Sequence, residues 1–333
     1  MLWRIRAQTG QSLQEDLHRG YQPHIDMTIT PPRNTSSQLS GSSRPLASLL
    51  AAACFATLAL GAMEGRAALL AYDGFRIATD GYTQGNLGGQ NPTTPGFTGA
   101  WDQPNIFGSG SAVVNSASAL TYPGATTDNT GGVATSSGAN SGARVSRLLA
   151  SPFTATTSGT FYFSFLTQVP DTNKQGYVGL EMHNGGTDDS QRTFQAGFNG
   201  DVAPNNGTTY GIRVNNATTA SSGVTPVANQ TALFVVKFTL SATDLSDSIT
   251  VWVNPSDLSS EAGSGAGTTI SGVNFTAERI GFGDFFSSGG KFDELRVGTT
   301  YQDVTAVPEP TSAAFLAGGA ALLGMLRRRR LAV

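Results

Sequence analysis

The sequence predicts an all-β protein built as one antiparallel β-sandwich. Three observations carry that prediction. Only 13% of the 333 residues are charged while 41 are Gly, and Ser, Thr and Asn abound, a composition poor in helix formers and rich in turn formers. Apolar and polar residues alternate over short runs, the period of a half-buried strand. Gly, Asn, Asp and Ser separate these runs, and no long amphipathic helix interrupts them.

Residues 1–67 read as an export region. The first 26 residues are polar and foreign to an ordinary signal peptide, which makes Met27 a candidate start. Residues 45–62, "PLASLLAAACFATLALGA", form an apolar run preceded by Arg33 and Arg44. Gly65 and Ala67 supply small residues where signal peptidase needs them, so cleavage is expected between Ala67 and Ala68. Cys54, the only cysteine, lies inside this run. The mature chain is then expected to hold no disulfide, thiol nucleophile or cysteine-bound metal.

Residues 68–304 carry the sandwich. "TFYFSFLTQ" (160–168) puts Phe161, Phe163 and Phe165 on one face. "YVGLEMH" (177–183), "RTFQAGF" (192–198) and "TTYGIRV" (208–214) follow. "TALFVVKFTL" (231–240) sets Phe234, Val236 and Phe238 opposite Lys237. "SITVWVN" (248–254) keeps Ile249, Val251 and Val253 in phase, and "ERIGFGDF" (278–285) and "KFDELRVG" (291–298) close the domain. Residues 80–145 are less patterned and predict an edge strand at "SAVVNSASALTY" among surface loops. No internal repeat suggests a solenoid or propeller.

Chemistry is sparse in this region. The net charge is −3 and the basic residues gather at the two ends, which leaves no basic face for nucleic acid. His183 is the only mature histidine, so a multi-histidine metal centre is excluded. It is expected to be a surface residue at a strand end. A glycosidase needs two carboxylates facing each other, whereas Asp293 and Glu294 are adjacent and Glu181 and Asp284 read as isolated. Asp293 also shares strand parity with Leu295 and Val297, which calls for a bulge or for a buried Asp293 bonded to loop backbone. The loops offer oxygen ligands at Asp171, Asn173, Asn184, Thr187, Asp188 and Asp189. Calcium is the one cofactor they suggest, with Asp171, Asn184, Asp188 and Asp189 as candidate ligands; the same residue types also serve any tight turn. Trp101, Tyr177, Tyr210 and Trp252 are candidates for a sugar-stacking surface or for the core.

The chain ends "AVPEPTSAAFLAGGAALLGMLRRRRLAV". As a helix, residues 311–326 span about 24 Å, short of the ~30 Å hydrocarbon core. The arginines favour the cytoplasmic side. Val307, Pro308, Glu309 and Pro310, then the apolar run, then Arg327, Arg328, Arg329 and Arg330, resemble the PEP-CTERM sorting signal. That resemblance covers the tail, residues 305–333, and implies processing by an exosortase, after a transient stay in the inner membrane of a Gram-negative bacterium that makes exopolysaccharide. Pro308 and Pro310 keep the motif extended, as a protease substrate must be.

"LLAYDGF", "GYVGLEMHNGGTDD" and "GGKFDELRVGTTYQDV" resemble laminin-G/concanavalin A-like jelly-roll domains. This second resemblance implies a sandwich that hosts lectins, hydrolases and inert modules alike. Together these readings predict a secreted, non-catalytic structural or adhesive protein at the cell surface or in the exopolysaccharide matrix. Its expected processing enzymes are signal peptidase and an exosortase, and exopolysaccharide or other glycans are its expected partners. The alternatives are a lectin-like module, calcium-dependent or not, and a glycan-active hydrolase on the same fold.

Overall fold

The computed structural model describes residues 69–305 other than 105–109, 126, 128–129, 137–141, 173–175, 199–207 and 286–288. Ala67, Ala68, Val307, Pro308, Glu309, Pro310 and Arg327–Arg330 lie outside the described residues, as do both expected apolar helices. Among the described residues no helix is long and apolar enough to cross a membrane.

Two antiparallel sheets face each other. One contains β1 (Ala71–Asp73), β2 (Gly85–Asn86), β4 (Ser111–Val114), β5 (Val133–Ser136), β7 (Gly159–Gln168), β12 (Thr231–Leu240), β13 (Asp247–Val253), β14 (Thr268–Val273) and β16 (Lys291–Gly298). The other contains β3 (Phe97–Asp102), β6 (Gly142–Phe153), β8 (Tyr177–His183), β9 (Arg192–Phe198), β10 (Tyr210–Val214), β11 (Thr218–Ser221) and β15 (Ala277–Phe285). Their orders are β14-β13-β12-β7-β16-β5-β4-β2, with β1 on β16, and β11-β10-β9-β8-β15-β6-β3. The architecture is the antiparallel sandwich that the alternating runs predict.

Alternation decides which side chains meet between the sheets. Phe163, Phe165, Phe234, Val236 and Phe238 enter the core from one sheet, and Val178, Leu180, Met182, Phe194 and Phe282 enter from the other. Aromatic rings bridge the layers. Phe282 stacks on Phe292 with centroids 4.5 Å apart, and Phe194 and Phe238 meet edge to face at 5.1 Å. Each such pair adds about 0.5–1.5 kcal/mol beyond its buried area. The outer side of the nine-stranded sheet carries a smaller cluster of Tyr162, Leu166, Leu233, Val235 and Trp252. The short helix α1 (Tyr301–Thr305) covers it with Tyr301 and Val304. Five residues do not make a helix stable alone, so packing holds this one. Asp303 supports its start by accepting the backbone N–H groups of Thr299 and Thr300.

β16 resolves the parity conflict at Asp293. The register shifts between Asp293 and Arg296, and Glu294 takes a φ of 54°. The bulge keeps Phe292, Leu295 and Val297 on the core side and leaves Asp293 buried on the outer face opposite Leu166, where it accepts the N–H groups of Leu120 at 2.9 Å and Glu294 at 2.8 Å. Both alternatives that the sequence posed therefore hold at once. Trp101, Tyr177, Tyr210 and Trp252 are all buried, so they form no sugar-stacking surface. The core or its satellites take them because their rings are worth more out of water.

Glycine makes the close approach of β15 to β6 workable. A Cβ at Gly281 would lie 1.8 Å from the carbonyl oxygen of Val145. Gly281→Ala is expected to lower stability in urea unfolding by about 1–3 kcal/mol, the cost of overpacking. The exposed Ser271→Ala on β14 should stay within about 0.5 kcal/mol.

Candidate functional site

The outer face of the seven-stranded sheet carries the densest polar cluster described. In β8, Val178, Leu180 and Met182 point into the core, so Tyr177, Gly179, Glu181 and His183 must point outward. The register places Gln195 of β9 and Gly281 of β15 on either side of Glu181. Arg144 of β6 stands opposite Gly283. Glycines at 281 and 283 clear the floor between Arg144 and Glu181; a Cβ at Gly283 would come within 2.9 Å of the Glu181 carboxyl carbon.

Glu181 is the hub. Arg144 Nε donates to its Oε2 at 2.6 Å, and Arg144 Nη2 donates to its Oε1 at 3.3 Å. Gln195 Nε2 and Arg192 Nη1 also donate to Oε1, at 3.0 and 3.1 Å. His183 Nε2 lies 3.4 Å from Oε2. The sequence reading of Glu181 as isolated and His183 as a surface residue is corrected here. Both are about 1% exposed or less, because the strand parity that brings them together also sets them beneath Arg144 and Arg192.

The same arginines reach past Glu181 into the loop that follows β8. Arg144 Nη1 donates to the Thr187 carbonyl at 2.8 Å, and Arg144 Nη2 donates to Asp189 Oδ1 at 2.5 Å. Arg192 Nη1 reaches Asp189 Oδ1 at 3.0 Å, and its Nε reaches Asn216 Oδ1 at 3.2 Å. Asn216 Nδ2 closes the circuit on the Asp189 carbonyl. Asn184 and Gln191 pair across the loop base, and the Gly185 N–H donates to Glu278 Oε2. Asn184, Asp188 and Ser190 stay exposed on this fastened loop. The arginine side chain beneath also packs on Phe285, which stacks on Tyr177.

Burial works against the charge on Glu181, but Arg144, then His183 and Arg192, outweigh it. Its carboxyl is held well below the usual carboxylate range. A group so held does not donate a proton near neutrality, as a glycosidase acid must. Asp284 sits opposite Val178 and so faces the core on the other side of this sheet. There it accepts the Thr135 hydroxyl and the Gly290 N–H. Asp293 holds loop backbone, and Glu294 accepts from Tyr72 and Arg296. Among the described residues, the carboxylates considered from sequence do not form a facing pair.

The calcium candidates are split. Asn184, Asp188 and Asp189 share the loop after β8, whereas Asp171 precedes that strand, about 20 Å away along its length. Asp189 already serves two arginines. Among the described residues no three His, Cys, Asp or Glu side chains gather where a metal would fit. Arg144, Arg192, Gln195 and Asn216 escaped the sequence reading. The Glu181–Met182–His183 alternation was the available sign of a shared face; nothing local marks Arg144, which stands 37 residues before Glu181.

No protein-family model matches this chain, and no curated protein matches it. Among solved structures it is similar to the metal-free carbohydrate recognition domain of Emp46p, with 8% identity, 60% of this chain and 88% of that chain covered, and a TM-score of 0.37. It is similar to a structure concerning botulinum neurotoxin type C and its interaction with two ganglioside molecules, with 11% identity, 67% and 49% covered, and a TM-score of 0.36. A conserved carbohydrate esterase from Shiga toxin-encoding bacteriophage phi24B gives 12% identity, 60% and 90% covered, and a TM-score of 0.38. The sheet order and register of this chain themselves define its class, an antiparallel jelly-roll β-sandwich.

Arg144→Met is expected to cost about 3–5 kcal/mol, because it leaves Glu181 charged and buried without its main partner. Amide exchange across 184–191 should accelerate more than exchange in β12. The pH dependence has a definite sign. Between its ordinary and its lowered pKa the unfolded chain protonates Glu181 and the folded chain does not, so stability should fall as pH drops below about 4.5. Glu181→Gln should flatten that acid limb in thermal melts.

Proposed function

We propose that this protein is an exported β-sandwich module that binds glycan at the cell envelope without turning it over. The observation that carries this reading is the loop 184–191. Arg144 and Arg192 fasten it from below while Asn184, Asp188 and Ser190 remain exposed. An exposed polar loop fixed in advance loses little entropy on binding, which favours recognition of hydroxyl-rich ligands through hydrogen bonds. Residues 69–305 carry ten Lys and Arg against eighteen Asp and Glu. A neutral glycan therefore suits the domain better than an anionic one.

Export and C-terminal sorting belong to the same proposal. β1 pairs antiparallel with β16, Ala71 opposite Val297, and α1 follows β16 directly. The chain thus enters and leaves the domain at neighbouring points. Core packing already includes Ala71 at one end and α1 at the other, so processing at Ala67 or near Glu309 would leave both of them in the chain. Signal peptidase and an exosortase are the proposed processing enzymes.

Two measurements test this reading. Mass spectrometry of the protein recovered from the envelope of its exosortase-bearing host should show a start at Ala68 and no Arg327–Arg330; an intact arginine tail contradicts the sorting part. On a glycan array, the purified protein should retain neutral oligosaccharides. Asp188→Ala and Asn184→Ala should each weaken that retention at least tenfold with unchanged melting. Retention untouched by both substitutions, or depolymerisation of the bound glycan, contradicts the binding part.

A further inference from the structure

At the other end of the sandwich from loop 184–191, a small pocket opens between the two sheets. The chain leaves β11 at Ser221, crosses to the other sheet as residues 222–230 and enters β12 at Thr231. Tyr210 and Ala232, both buried, line the pocket from the two sheets. Val227, Gln230 and Asn254 line it as exposed residues, and Thr231 as a half-buried one. Tyr210 of β10 stands opposite Phe198, which stands opposite Val178 of β8. The pocket therefore lies about 20 Å along the strands from Asn184.

The backbone around the pocket is fastened without any ligand. The Tyr210 N–H donates to the Val224 carbonyl at 2.9 Å, and the Asn229 N–H donates to the Val169 carbonyl at 2.8 Å. Gln168 Nε2 holds the Asn229 carbonyl at 2.8 Å. Asn254 takes a left-handed φ of 53°. Its N–H donates to the Leu233 carbonyl at 2.8 Å, and its Oδ1 accepts the Leu233 N–H at 3.0 Å. The amide is thus oriented through its oxygen, while its Nδ2 donates to nothing among the described residues.

The polar groups that face this pocket are idle. Phe234 and Phe198 grip the Tyr210 ring edge to face, at 5.1 and 6.4 Å. The Tyr210 hydroxyl makes no hydrogen bond among the described residues, and burial alone pushes it above its ordinary pKa. A buried hydroxyl without a partner costs the fold stability that a ligand hydroxyl would restore. The side chains of Gln230 and Thr231 are likewise unengaged among the described residues. No charged side chain lines the pocket, and Ala232 and the exposed Val227 add small apolar surfaces. Hydroxyls and amides that both donate and accept, beside apolar carbon and without charge, match a neutral polyhydroxy ligand. The cavity measures about 20 Å³, room for one hydroxyl and the carbon that bears it.

We propose that this pocket is a second saccharide site, which takes the exocyclic hydroxymethyl arm of a neutral hexose. The hydroxyl of the arm bonds to the Tyr210 hydroxyl and accepts from Asn254 Nδ2, and its methylene rests on Ala232 and Val227. The sugar ring stays outside, where Gln230 and Thr231 meet its hydroxyls at the mouth. The ligand class extends the glycan reading above, but the site is built from other residues and does not depend on loop 184–191.

Heteronuclear NMR of the full chain, titrated with methyl glucoside, methyl galactoside and methyl mannoside, tests the site. At least one of these should shift the Ala232 backbone amide and the Asn254 side-chain amide saturably. Methyl xyloside, which lacks the hydroxymethyl arm, should bind about tenfold more weakly. Tyr210→Phe removes the hydroxyl alone and should weaken hexoside binding about tenfold. Its melting temperature should hold or rise, because that hydroxyl has no partner to lose. Asn184→Ala and Asp188→Ala should leave the shifts in place, so failure of the loop reading and failure of the pocket are told apart. No saturable shift with any of the hexosides, equal binding of the xyloside, binding undiminished by Tyr210→Phe, or shifts lost in the loop variants would overturn the proposal.

Discussion

The contact between Arg144 and Glu181 is the interaction on which the polar face depends. Taking both charges out of water costs several kcal/mol per ion, and the cost is recovered only when geometry is good and every remaining donor and acceptor is used. Arg144 meets that condition. Its Nε and Nη2 bind Glu181, and its Nη1 and Nη2 reach Thr187 and Asp189. One side chain thereby joins the middle of two neighbouring structures, a central strand and the loop that leaves it. The loop position is then a consequence of where the sheet places Arg144, and the sheet places it with the help of two glycines on β15.

Buried carboxylates recur as the fastening of this sandwich. Residues 69–305 contain no cysteine, so no covalent cross-link holds the long connections. Asp247 instead accepts the N–H groups of Ser241 and Phe275, Asp284 accepts that of Gly290, and Asp293 accepts that of Leu120. Each carboxylate satisfies loop donors that would be costly to bury unpaired. Burial and pairing push two of the fully buried carboxyls in opposite directions. Glu181 favours its charged form in the fold, and Asp73 favours its neutral form.

Much of the fold was legible because alternation is a local signal. β8, β9, β12 and β16 appear with the bounds expected from their sequences, and Phe163, Phe165, Phe234 and Phe238 face the core as their phase requires. β6 was not legible. Its inward Arg147 and outward Arg144 disguise the apolar pattern of a twelve-residue strand, and both arginines find their partners only in the assembled sheet. Asp293 lay between these cases. Its parity conflict was visible in the sequence, and the bulge at Glu294 is the physical answer. The polar face was misread because burial of His183 and Glu181 depends on Arg144 and Arg192 arriving from other strands. The tail and leader motifs fall outside the described residues, so their reading still rests on sequence chemistry.

The central claim is that the Arg144 guanidinium, seated on Glu181, holds loop 184–191 in place. A double-mutant cycle joining Arg144→Met and Asp189→Ala, read by amide exchange in that loop, addresses it directly. The account predicts strongly non-additive effects, with a coupling of about 1–3 kcal/mol, because the second substitution finds the loop already released. Additive effects, with no coupling between strand and loop, would contradict it.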